Sequence, residues 1–201
     1  LLEQQLTSIA RDINLYESEA TGVAFATAHV WDNHDCRPQA AGILCRLIPI
    51  ATPKVAYALG TVFSAEVFPA DEHTEALLLS LAAHPAALAG DWVMELSEHL
   101  AELLPHCRQS VLQVCNAIVN TYRHQLTSYQ YSLYGAGPYL VDIAMTLQRF
   151  QDTRSDGLAL LESLLKLGLD AAFASLPDME LRPVSVAHPE PRRRRRRRPP
   201  E

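Results

Sequence analysis

Residues 108–126 read RQSVLQVCNAIVNTYRHQL, and their apolar members decide the fold. Val111, Leu112, Val114, Cys115, Ile118, Val119 and Tyr122 recur three and four apart. That spacing lines one face of a helix and lacks the alternation of a strand. The stretch follows a proline, Pro105, and starts at Arg108. A polar or proline mark followed by small and apolar residues at helical spacing occurs three more times. The marks are Asp35 and Arg37 (then Ala40, Leu44), Asp71 and His73 (Ala76, Leu77), and Asp152 and Arg154 (Gly157, Leu161). Starts at 37, 73, 108 and 154 leave intervals of 36, 35 and 46 residues.

Two helices per unit of roughly 40 residues is the period of stacked HEAT and armadillo repeats. The expected fold is all-α: an α-solenoid of stacked helical hairpins, whose longer last interval marks a terminal capping unit. Composition points the same way. Hydrophobic residues make up 48% of the 201, enough for one sizeable core, and Ala and Leu outnumber Val and Ile, a balance that favours helix over strand. No stretch alternates convincingly with period two.

Working outward, helices are expected at 38–49, after Thr52-Pro53, from Asp71 to near His84, and from Gly90-Asp91 through Leu104. Asp71 and Thr52 offer N-cap oxygens, as does the loop 32–35. Glu95, Glu98 and Glu102 are expected to face water. Residues 1–19 look like the end of a helix begun upstream, and with no initiator methionine the chain is expected to be a piece of a longer protein. Residues 127–134 show no clear period, and 135–138 (GAGP) reads as a turn into a helix at 139–150. The next helix runs from Asp152 to a C-cap at Gly168, and a short one spans 170–176. Leu44, Leu59, Leu81, Leu100, Ile118, Leu147 and Leu161 are the core candidates.

The net charge of −6 hides an asymmetry. Residues 182–201 hold eight of the 17 basic groups and two of the 23 acidic ones, which leaves residues 1–181 with 9 basic and 21 acidic, a net of −12. The chain therefore divides into a helical domain, 1–181, and a Pro/Arg-rich tail, 182–201. The tail has too little apolar surface to offset the entropy of ordering it and is expected to be disordered. Its run Arg192, Arg193, Arg194, Arg195, Arg196, Arg197 and Arg198 is a candidate polyanion contact, with the salt dependence that counterion release brings. No aromatic residue interleaves it to stack on bases.

The remaining chemistry is sparse. Cys36, Cys45, Cys107 and Cys115 lie inside helical patterns and read as free thiols in a reducing, cytoplasmic setting. Only His34 and Cys36 have metal-ligand spacing, and zinc sites need two such pairs. Cys107 and Cys115, with His106, are worse placed. A cysteine nucleophile such as Cys36 with His34 would need an orienting carboxylate in a cleft, and no G-x-S-x-G or comparable strained turn supports one. Gly135-Ala136-Gly137 lacks the remaining positions of a phosphate-binding loop. No apolar run approaches the length of a membrane span. No catalytic, cofactor or metal site is expected. The tyrosines Tyr122, Tyr129, Tyr131, Tyr134 and Tyr139 form a recognition surface or cover a connection between hairpins.

Two stretches carry a resemblance. Residues 32–63 (DNHDCRPQAAGILCRLIPIATPKVAYALGTVF) resemble the helical-hairpin units in the C-terminal regions of bacterial STAND NTPases, signal-transducing ATPases related in plan to NOD-like receptors. Residues 137–183 (GPYLVDIAMTLQRFQDTRSDGLALLESLLKLGLDAAFASLPDMELRP) are similar to the hairpin with which several such chains end. The likeness spans about residues 30–182. It implies a non-catalytic sensor module of a larger NTPase, with ATP and Mg2+ bound upstream, a protein ligand (a phage protein in the antiphage members), and oligomerisation of the parent on activation. The resemblance transfers no catalytic or binding residue. The alternatives are a HEAT-like adaptor with no NTPase attached, and a helical enzyme domain.

Overall fold

A computed structural model describes residues 2–65, 68–88, 90, 92–124 and 130–180. The described chain is all-helical. Its helices are α1 (Leu2–Arg11), α2 (Glu17–His29), α3 (Arg37–Leu47), α4 (Pro53–Gly60), α5 (Glu72–Ala83), α6 (Val93–Leu103), α7 (Arg108–His124), α8 (Gln130–Leu147), α9 (Arg154–Lys166) and α10 (Asp170–Glu180). Short 3-10 turns follow α3, α4 and α5, and no strand occurs among the described residues.

The helices pack as two rows. In one, α3, α5, α7 and α9 are successive neighbours. In the other, α2 lies on α4, α4 reaches α6 through the 3-10 turn Thr61–Ser64, and α6 lies on α8, which meets α10. Polar links across neighbours keep the interval seen in the sequence. Arg37 binds Asp71, Glu17 binds Lys54, the His99 ring meets the Phe63 carbonyl, Ser110 donates to Glu75, Thr121 to the Pro85 carbonyl and Tyr122 to the Gly90 carbonyl. These partners are 32 to 37 residues apart. Arg108 and Asp152 are 44 apart, matching the longer last interval.

All seven core candidates are buried, none more than 3% exposed. Each such leucine contributes about 1.5–3 kcal/mol by leaving water, before entropy is counted. The core is aromatic at one end: Trp31, Phe68, Phe63 and Trp92 stack in sequence with centroids 5.1 Å apart. Trp92 fits because Gly60 and Gly90 have no Cβ, which at either residue would overlap its indole. Farther along, Gly157 of α9 sits on α8 so closely that a Cβ would lie 2.7 Å from the Ala144 carbonyl oxygen.

Local sequence explains three helix ends directly. Asp71 caps α5, its Oδ1 accepting from the N–H groups of His73 (3.1 Å) and Thr74 (2.9 Å). Thr52 caps α4 by accepting from Val55 N–H, ahead of Pro53, which needs no N–H there. Past the end of α9, Gly168 takes φ +75°; its N–H bonds the Leu165 carbonyl and Leu169 N–H bonds Leu164, the two bonds of a Schellman motif.

Four expectations need correction. Residues 1–19 are not one helix: Asp12 Oδ1 accepts from Leu15 N–H, turning the chain between α1 and α2. The loop 32–35 gives α3 no side-chain cap, because Asn33 Oδ1 is bound to Asp35 N–H and Cys36 occupies the cap position. Glu95 does not face water fully; its Oε2 is buried without a partner. Finally, 135–138 is no turn: α8 runs through it with Pro138 inside. Gly135 serves packing, since a Cβ there would lie 2.8 Å from Met94 Sδ, whereas one on Gly137 would make only ordinary contact with Leu169.

Candidate functional site

Two features stand out on this scaffold: a line of polar side chains at the helix starts of the α3–α9 row, and an apolar outer face on the other row. The first begins with Arg37, whose side chain is 11% exposed and spans the gap to Asp71 (3.1 Å) while its Nε donates to the Trp31 carbonyl. Burial pushes the Asp71 carboxyl up, but Thr74 N–H and the Arg37 guanidinium outweigh it and hold the group below the usual carboxylate range. Next along, Glu75 accepts from Ser110 at 2.8 Å. Arg108 bridges both oxygens of Asp152 at 3.2 Å and lies 4.2 Å over the Phe150 ring. The carboxylates each have a partner, so this line joins units and presents little free charge.

The cysteines fit a structural role. Cys115 is fully buried and its thiol is pushed up to about 12 by desolvation. Burial raises Cys45 against a hydrogen bond from Ser80, and burial with the charges of Glu75 and Asp71 raises Cys107. All three are thereby held as thiols at neutral pH, the unreactive form. His34 is 92% exposed and its Nδ1 lies 3.6 Å from the Asp35 carboxylate. Among the described residues no three His, Cys, Asp or Glu side chains converge as a metal site would require, and no helix is long and apolar enough to cross a membrane.

Of the tyrosines, Tyr122 is buried, Tyr134 is 50% exposed and Tyr139 is half-buried. The ring of Tyr129 and that of Tyr131 lie outside the described side chains, as does the whole tail with Arg192 to Arg198. The grouping of five tyrosines therefore lies partly outside the described residues. The described residues show a set that periodicity alone did not reveal: Tyr57 on α4, Met94 on α6, Tyr134 on α8 and Phe173 on α10 are between 41% and 63% exposed. They are 37, 40 and 39 residues apart, one per unit. Each falls on the outward side of a helix whose inward side was the visible signal. A second apolar surface is a groove of about 230 Å³ between α2 and α3, lined by Val23, Thr27, Val30, Cys36, Gln39 and Ile43 among others. Gly22 and Gly42, on the same two helices, meet nothing within 4 Å of a built Cβ.

No protein-family model matches this chain, and neither the curated proteins nor the solved structures contain a match.

Proposed function

We propose that this chain is a non-catalytic protein-recognition module built as an α-solenoid, the C-terminal sensor of a larger STAND-type NTPase whose ligand is a phage protein. The observation that carries the recognition reading is the row Tyr57, Met94, Tyr134 and Phe173. Isolated exposed apolar residues are ordinary. Four of them, one per unit on successive helices of one layer, form a strip suited to a protein surface, with two tyrosines of the kind favoured at interface centres. The solenoid reading draws on the polar links of 32–37 residues and on the two ordered rows of helices. The NTPase assignment draws on the resemblance of residues 32–63 and 137–183 and is decided by sequence upstream of Leu1: a phosphate-binding loop there supports it, and its absence leaves the adaptor.

The test immobilises the chain and titrates it with purified proteins of phages that infect the source bacterium. Changing Tyr57→Ser, Met94→Ser and Tyr134→Ser together is expected to weaken a bound phage protein at least tenfold with the melting temperature preserved. Undiminished binding by this variant sinks the strip as the recognition surface.

A further inference from the structure

We propose that the arginine run 192–198 docks within its own molecule, across the outer face of α6, α8 and α10. The contact rests on the chemistry of that face and stands whether or not the recognition reading does. On α6, Met94, Glu98 and Glu102 are exposed at successive turns; on α8, Tyr134 and Asp142 are; on α10, Phe173 is. The seat of Met94 on Gly135 puts the apolar ends of the first two stripes side by side. α6 and α8 pack against each other, and both carry exposed carboxylates beyond that apolar meeting point, Glu98 and Glu102 on one and Asp142 on the other.

Charge selects the occupant. The three helices contain no lysine or arginine. Glu98 and Asp142 enter no ion pair among the described residues, and Glu102 has only His99 Nδ1 at 3.5 Å. The opposite row differs, since its Asp71 and Asp152 already hold Arg37 and Arg108. A guanidinium suits both halves of the outer face, forking onto carboxylates and stacking on aromatic rings.

The tether reaches. The described chain ends at Glu180, in α10 itself, and 11 residues (181–191) precede Arg192. Extended, they span up to about 36–40 Å. The path from α10 over α8 to α6 is two interaxial steps of about 8–10 Å each. A short tether of this kind presents its ligand at about millimolar effective concentration, which gives the outer face an advantage over a polyanion in solution.

The experiment uses the whole chain and a second form in which each arginine of 192–198 is changed to glutamine. A labelled heptaarginine peptide is titrated into both at low salt. We expect at least tenfold tighter binding to the glutamine form, whose face is uncovered. Glu98→Gln, Glu102→Gln and Asp142→Asn in that form should reverse the gain, with circular dichroism melts confirming that these surface changes leave the fold intact. Equal affinity for both forms, or indifference to the three amides, overturns the proposal. In the arginine-bearing chain the same three amides free the run, so its affinity for a short polyuridine RNA should rise severalfold; an unchanged affinity also overturns it. Light scattering separates docking in cis from exchange between copies. A mass independent of concentration is expected, and a dimer lost on changing the run overturns the intramolecular contact.

Discussion

The clasp between Arg37 and Asp71 and that between Arg108 and Asp152 use the same residue types, yet they do different work. At the first, Asp71 is both ion-pair partner and N-cap of α5, with side chains 11% and 31% exposed. At the second, the side chains are 35% and 69% exposed. Asp152 falls one residue short of the cap position, which Thr153 occupies without capping while its hydroxyl donates to the Leu147 carbonyl. Phe150 under Arg108 partly replaces the lost burial. The interiors differ likewise. Residues 31–99 are joined by an aromatic stack around glycine-seated Trp92, whereas α8 and α9 meet through aliphatic side chains and the bare backbone at Gly157. An interval of 36 keeps capping and clasping in one residue; the longer last interval separates them.

The largest test of this contrast is Leu161→Asp, which replaces a residue 2% exposed between α9 and its neighbours with a buried charge. A loss above about 3 kcal/mol is expected, seen as a lost cooperative transition in urea. Leu158→Asp, at a site 42% exposed, should leave the transition in place. Gly157→Ala comes next: overpacking against α8 backbone should cost about 1–3 kcal/mol. Gly22→Ala, with open space at its Cβ, should instead stabilise by up to about 1 kcal/mol. If both alanines stabilise, the close approach of α9 to α8 is wrong.

Smaller effects separate the two clasps. Asp71→Ala should cost about 1–2 kcal/mol as a lost cap, and Asp152→Ala less than about 1 kcal/mol as a lost surface pair. Equal losses would erase the distinction. The smallest signal is in pH. The Asp71 carboxyl is held below its ordinary value of 3.8. Its ionised form is therefore favoured by folding, and the stabilisation is complete above that value and lost as pH falls through the lower folded one. Between pH 5 and pH 2 the melting temperature of Asp71→Asn should accordingly decline less than that of the parent chain.

Apolar spacing made the helices from 37 to 124 and from 154 to 168 readable, because inward leucines at Leu44, Leu81, Leu100 and Leu161 repeat on one face and Asp71, Thr52 and Gly168 mark ends by backbone chemistry. Residues 130–138 misled for a physical reason. Glycine and proline signal a turn locally, but at Gly135 the absent side chain admits Met94, a residue 41 positions away. The outer strip was illegible for a related reason: a lone exposed Tyr57 or Phe173 has no periodic partner within its own helix. Only the packing of α4, α6, α8 and α10 in a layer makes them members of a set.

The polar links of 32–37 residues carry a kinetic implication. With partners 32 to 37 residues apart, the first long-range contacts close loops of moderate length, so folding should not have to wait for contacts between distant parts of the chain. The last clasp, closing a longer stretch through exposed side chains, should form late and open first. Native-state hydrogen exchange should find α9 and α10 opening at lower free energy than α5 and α7, an unzipping that starts beside the arginine tail.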